Sequence, residues 1–156
     1  MRHAHVDRIT QLELGHCARA IKCVSLRDDA LGEHFPGNPI LPGVFLLEAI
    51  AQTAGVLLWK SSAERKLAVL ASIDRARFTA FARPGDALQL DVTIEAISDH
   101  AARILGRASR GNDEVAQTRM TFQLVKPDTL VAPAFADSFK QMMCTWLGEY
   151  PEPFRV

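Results

Sequence analysis

The chain has 156 residues, 48% of them hydrophobic, and its eighteen Lys and Arg are balanced by eighteen Asp and Glu. That length and apolar share suit one domain with a single substantial core, and the cancelled charge gives no sign of the basic footprint of a nucleic-acid binder. The longest apolar stretch falls short of the roughly 18 residues of a membrane helix and carries Glu48, Gln52 and Thr53, so no membrane span is expected.

From Met1 to Asp7 there is no apolar core of a secretory signal, which sets a cytoplasmic expectation. Cys17, Cys23 and Cys144 are odd in number and lack metal-type pairing. They read as buried, idle thiols rather than a disulfide framework or a zinc site. His16 to Val24 reads as a strand with mixed faces, ended by the charged turn Arg27-Asp28-Asp29. Leu31 to Gly43 holds three prolines and three glycines and is a constrained loop. Pro42 and Gly43 open the apolar run Val44 to Trp59, which reads as one long buried helix.

Past a polar stretch from Lys60 to Lys66, Leu67 to Ile73 suits an inner strand and Arg75 to Phe81 a second one. Arg83-Pro84-Gly85-Asp86 places Pro and Gly at the central positions of a type II turn. Leu88, Leu90, Val92, Ile94 and Ala96 then alternate with polar residues, the period of a strand with one buried face. Arg103 to Arg110 and Val115 to Val125 form a hairpin around Gly111-Asn112-Asp113, with Ala116, Thr118, Met120, Phe122 and Leu124 on one face. Phe139, Met142, Met143, Trp146 and Leu147 recur at helical spacing before Gly148, giving a final amphipathic helix whose Met and Trp are packing residues. The expectation is an α+β domain: six antiparallel strands curved around one long helix, with an added C-terminal helix. Residues 1–126 would form the main domain and 127–156 an extension packed on it.

One carboxylate stands inside the apolar helix. A buried ionised carboxylate is costly unless paired, wetted or neutralised, so Glu48 needs a reason to be there. Gln52, four residues on, shares its face and makes a polar stripe. The helix start at Gly43 and Val44 offers unpaired amide groups and the positive end of the helix dipole to an oxygen gaining negative charge. His34 lies on the rigid loop before it. Imidazoles take protons near neutral pH, and a carboxyl kept from water can give one. Taken singly, a loop His is usually structural and a helix Glu usually solvated. Together they make one base, one acid and one oxyanion donor, the inventory for removing a proton beside a thioester carbonyl and expelling water from the next carbon.

The run His34-Phe35-Pro36-Gly37-Asn38-Pro39-Ile40-Leu41-Pro42-Gly43-Val44-Phe45-Leu46-Leu47-Glu48-Ala49-Ile50-Ala51-Gln52 resembles the signature of the hot-dog-fold 3-hydroxyacyl-[acyl-carrier-protein] dehydratases, the FabZ type of bacterial fatty-acid synthesis. The similarity continues through Val6-Asp7-Arg8-Ile9, Ile73-Asp74-Arg75-Ala76-Arg77-Phe78 and Arg83-Pro84-Gly85-Asp86. It implies a hot-dog fold, with the long helix wrapped by the sheet, in dimers whose sheets join and which commonly assemble as trimers of dimers. It implies dehydration of (3R)-hydroxyacyl thioesters to trans-2-enoyl thioesters in fatty-acid synthesis, or in related polyketide or aryl-polyene synthesis.

By that resemblance His34 is the base at the α-carbon and Glu48, from the other subunit, helps the β-hydroxyl leave. Gly43 holds the thioester oxygen, with Val44 and Phe35 at the substrate and Gln52 in support. No metal or other cofactor is implied; the substrate arrives on the phosphopantetheine arm of acyl carrier protein. Dehydratase-isomerases carry Asp at the position of Glu48, which favours the plain dehydratase. A hot-dog acyl thioesterase and a non-catalytic acyl-thioester-binding protein are the alternatives. Neither needs both His34 and Glu48.

Two features depart from the usual pattern. The chain begins too late for the family's short N-terminal helix, and it adds the segment after Lys126, whose helix is expected to pack near the tunnel or the subunit interface. Acyl carrier protein is acidic, so its doorway should be basic. Lys60, Arg65, Lys66, Arg75, Arg77 and Arg83 stand against only Glu64 and Asp74 in that stretch and are the docking candidates.

Overall fold

The structure, a computed structural model, describes residues 4–28 and 31–148. β1 (Arg8–Glu13) and β2 (Cys17–Cys23) form a hairpin, and α1 (Gly43–Ser61) follows the Pro-rich loop. β3 (Leu67–Phe78), β4 (Ala87–Ile97), β5 (Ala101–Arg110) and β6 (Asp113–Val125) complete the sheet. Two short 3-10 turns, Pro127–Thr129 and Pro133–Phe135, lead to α2 (Ala136–Trp146). The strands lie in the order β1-β2-β4-β5-β6-β3, every neighbouring pair antiparallel.

α1 connects β2, near one edge, to β3 at the other, and it touches all six strands. It buries Leu46, Ile50, Leu57 and Leu58 against alternating strand residues such as Leu88, Leu90, Ile104 and Met120. The helix can lie this close because β5 carries Gly106, where a Cβ would sit 2.2 Å from Cγ2 of Ile50. By length and composition α1 is apolar enough to cross a membrane, contrary to the short-run reading of the sequence. Its place inside the sheet gives that apolarity another cause, since a core helix needs it equally.

The expected count of six strands holds because two errors cancel. β1 was not anticipated: a register shift between Ile9 and Gln11 breaks its alternation, and only Ile9 is buried. Conversely, the two strands expected over 67–81 are one. β3 slips register at Leu70/Ser72 and at Ile73/Arg75, and each bulge flips the side-chain pattern without ending the strand. The turn at Arg83 to Asp86 is as expected, with Gly85 at φ 95 and Asp86 N–H donating to the Arg83 carbonyl at 3.0 Å.

The thiols are not buried as expected: Cys23 is exposed, and Cys17 and Cys144 are half-buried. Cys17 sits at the hairpin tip with Glu13 and His16. Partial burial, and then the Glu13 carboxylate beside it, raise its pKa and keep it protonated.

Residues 127–148 of the expected extension fold back onto the domain; the rest of it lies outside the described residues. Met143 and Trp146 enter the main core, so the packing role read for them is correct. Glu64, just after α1, takes hydrogen bonds from Lys60 at 3.0 Å and pairs with Lys140 of α2 at 3.3 Å, tying the tail to the end of the core helix.

Candidate active site

The loop before α1 is shaped by its own backbone. Phe35 and Asn38 exchange N–H to carbonyl hydrogen bonds, and Ile40 N–H donates to the His34 carbonyl at 2.9 Å. Leu41 N–H reaches across to the Ala82 carbonyl at 2.8 Å, pinning the loop beside the β3–β4 connection. The His34 ring is half-buried, stacks on Phe35 with centroids 4.5 Å apart, and places Nδ1 3.0 Å from the Ile40 carbonyl oxygen. A carbonyl can only accept, so Nδ1 carries a proton, and in the neutral imidazole the lone pair lies on Nε2. The loop therefore presents an imidazole in the tautomer that a base needs.

α1 starts bare. Pro42 at its cap provides no side-chain hydrogen bond, and the first turn holds no acidic residue. Among the described residues the amides of Gly43 and Val44 find no protein acceptor. A Cβ on Gly43 would meet the Phe78 ring at 2.8 Å. The end of β3 is thus seated on the start of α1.

Glu48 is not buried within the chain. It is exposed, and so is Val44 at 64%. The reason is periodicity: Val44, Leu47, Glu48, Ala51, Gln52 and Gly55 recur at i, i+3, i+4 and i+7 and form the stripe of α1 turned away from most of the sheet. Composition hid this stripe, because it is polar only at Glu48 and Gln52. The carboxylate is nevertheless oriented. His5 N–H donates to Oε1 of Gln52, and Nε2 of Gln52 donates to Oε1 of Glu48, each at 2.9 Å. The amide is fixed in one sense by this relay, which orients the Glu48 carboxylate. The part of His5 had no signal in the sequence, since a backbone N–H does the work.

Within one chain no hydrogen bond joins His34 to Glu48 among the described residues. Instead, Glu48 and Gln52 line a cavity of about 740 Å³ between α1, the first residues of β3 and the tail. Gly55 lies further along the same wall, and Leu130, Phe139 and Met142 close the far side. The signal that could have found this wall is Gly55, a glycine inside a helix seven residues beyond Glu48; the tail's residues read only as packing.

The six docking candidates do not share one surface. Lys60, Arg65 and Lys66 lie at the C-terminal end of α1, which at 19 residues is about 28 Å long, and Lys60 and Lys66 are engaged by Glu64 and Asp99. Arg77 adjoins Phe78 at the other end, with Arg75 near it. Arg83 donates to Oδ1 of Asn38 in the His34 loop.

The FabA-like domain family matches residues 3–119 of the chain. A 3-hydroxyacyl-[acyl-carrier-protein] dehydratase FabZ from Natranaerobius thermophilus is 37% identical over 122 residues, 78% of this chain and 86% of that protein. The chain belongs to the FabZ dehydratase family. Among solved structures, the dehydratase heterocomplex ApeI:P from Xenorhabdus doucetiae matches with a TM-score of 0.68 at 18% identity, covering 83% of this chain and 88% of that one. A hot-dog-like protein from Thermanaerovibrio acidaminovorans matches with a TM-score of 0.63 at 19% identity, covering 83% and 93%. These likenesses give the FabZ-family chain the hot-dog fold. α2 lies outside the residues that the family match covers.

Proposed function

We propose that this chain removes water from (3R)-hydroxyacyl thioesters borne by acyl carrier protein, giving trans-2-enoyl thioesters for fatty-acid synthesis. The observation that carries the reading is the Nδ1 to Ile40 carbonyl contact, which leaves Nε2 of His34 free to accept a proton beside an uncapped helix start. Nε2 takes the proton from the α-carbon as the C–H bond breaks. The amides of Gly43 and Val44 hold the thioester oxygen while negative charge builds on it. The electron pair then forms the α,β double bond, the C–O bond breaks, and the hydroxyl leaves as water with a proton from Glu48. His34 returns its proton to solvent and Glu48 regains one, so the net change is loss of one water. Phe35, stacked on the base, limits its motion.

The pair is completed by a second copy of the chain. β3 is an open edge of 12 residues, exposed from Leu70 to Phe78 with Ile73 between them, and unpaired edges of that length invite another strand. Antiparallel pairing of β3 with its counterpart would continue the sheet, cover the outward stripe of α1 and bring Glu48 to His34 of the partner subunit. Arg75, Arg77 and Arg83, at the His34 end, form the doorway for the acidic carrier; Lys60, Arg65 and Lys66 stand too far along α1.

The test is hydration of a crotonyl thioester, followed by loss of its conjugated absorbance. Hydration without free thiol supports the dehydratase. Thiol release would make the chain a thioesterase, and binding without turnover an acyl-thioester-binding protein.

A further inference from the structure

Resting on the dehydratase reading, the geometry points to a specificity role for the C-terminal extension: Phe139 of α2 is the partition that sets how far the acyl chain can reach. The helix stripe that holds Glu48 continues through Ala51 to Gly55, about 10 Å further along α1. Past Glu48 and Gln52 this wall ends at Gly55, which has no side chain. Glycine inside a helix costs about 1 kcal/mol relative to alanine, so its presence there calls for a reason. That reason is visible: nothing lies within 4 Å of where a Gly55 Cβ would point. The space is kept open.

The opposite wall belongs to the tail. Leu130, Phe139 and Met142 face the cavity across from Gly55, and these residues lie beyond the span matched by the family. A second cavity of about 310 Å³ lies behind them, toward Trp59 and Pro133. The two cavities share Leu67, Val131 and Phe139. Phe139 is the largest of the three and half-buried, held between the two spaces rather than inside the core. An apolar pocket of this size, with its polar pair at Glu48 and Gln52, suits a hydrocarbon chain whose β-carbon sits at the carboxylate. Each methylene brought out of water multiplies binding about threefold to fourfold, so the position of the partition translates directly into chain-length preference.

The experiment uses the full-length chain and two single variants with opposite expected effects. Wild type, Phe139→Ala and Gly55→Leu are given crotonyl, octenoyl and hexadecenoyl thioesters, and the long-to-short ratio of kcat/KM is read. Phe139→Ala merges the cavities and should raise that ratio at least about fivefold. Gly55→Leu fills the open wall and should lower it at least about tenfold. Thermal melting of each variant separates loss of fold from loss of preference, and Gly55→Leu introduces its side chain into empty space. Unchanged ratios in two folded variants would overturn the partition. If wild type turns over none of the thioesters, the dehydratase reading fails separately. Calorimetric binding of the same acyl-pantetheine series still reads the pocket, and equal chain-length dependence in wild type and Gly55→Leu rejects it.

Discussion

His34, the proposed base, shows how little of such a role is contained in a residue's identity. The sequence places an imidazole on a rigid loop; only the carbonyl of Ile40, 3.0 Å from Nδ1, decides which nitrogen is left to act. His34→Ala and Glu48→Gln should each lower turnover at least about 100-fold while the melting curve is unchanged, the size expected for a lost base or acid. A near-normal rate in either folded variant would remove that residue from the mechanism. The doorway assignment is separable from the chemistry. Charge reversal of Arg83 to Glu should raise KM for carrier-borne substrate about tenfold or more at low salt, leave pantetheine-borne substrate little affected, and lose its effect as salt is added. Equal KM changes for both substrates would place Arg83 at the acyl site instead.

At the scale of elements, what could be read was what repeats. The alternation of Leu88, Leu90 and Val92 or of Ala116, Thr118, Met120, Phe122 and Leu124 states a buried face directly, and these faces are buried. β3 was divided because its bulges reverse that alternation, and β1 was lost because a slip shortens it to one buried residue. Glu48 was mistaken for a buried charge because a single polar pair cannot mark an outward stripe whose other members are Val, Leu, Ala and Gly.

The same close packing gives a stability prediction. Gly106→Ala drives a methyl into Ile50 and should destabilise the fold by about 1 to 3 kcal/mol, read from denaturant unfolding. The Glu64 link between α1 and α2 is sensitive to acid. Lys60 first, and Lys140 with it, hold the Glu64 carboxyl below its usual range against the opposing effect of burial. A carboxyl with a depressed folded pKa contributes stability above its unfolded value, and loses it as pH falls through the folded value. The difference in melting temperature between wild type and Glu64→Gln should therefore be present at neutral pH and vanish in acid, with a contribution of about 1 kcal/mol or less for so exposed a pair.

For the whole molecule, one chain contains every group proposed for the chemistry and yet, among the described residues, no joined site. His34 and Glu48 each have local partners, and the β3 edge is open beside them. Assembly and activity should then fail together: Ile73→Lys on the exposed edge should yield a particle of monomer mass in light scattering, with turnover reduced in proportion. A dimer that persists in this variant would move the interface elsewhere.

Ala4 and Trp146, near opposite ends of the described chain, border the same cavity. A fluorescent label placed at either position would therefore sit beside the cavity proposed for the acyl chain and should alter the kinetics it is meant to report. The exposed turn at Gly111 and Asn112, on a hairpin tip away from that space, is the better point of attachment.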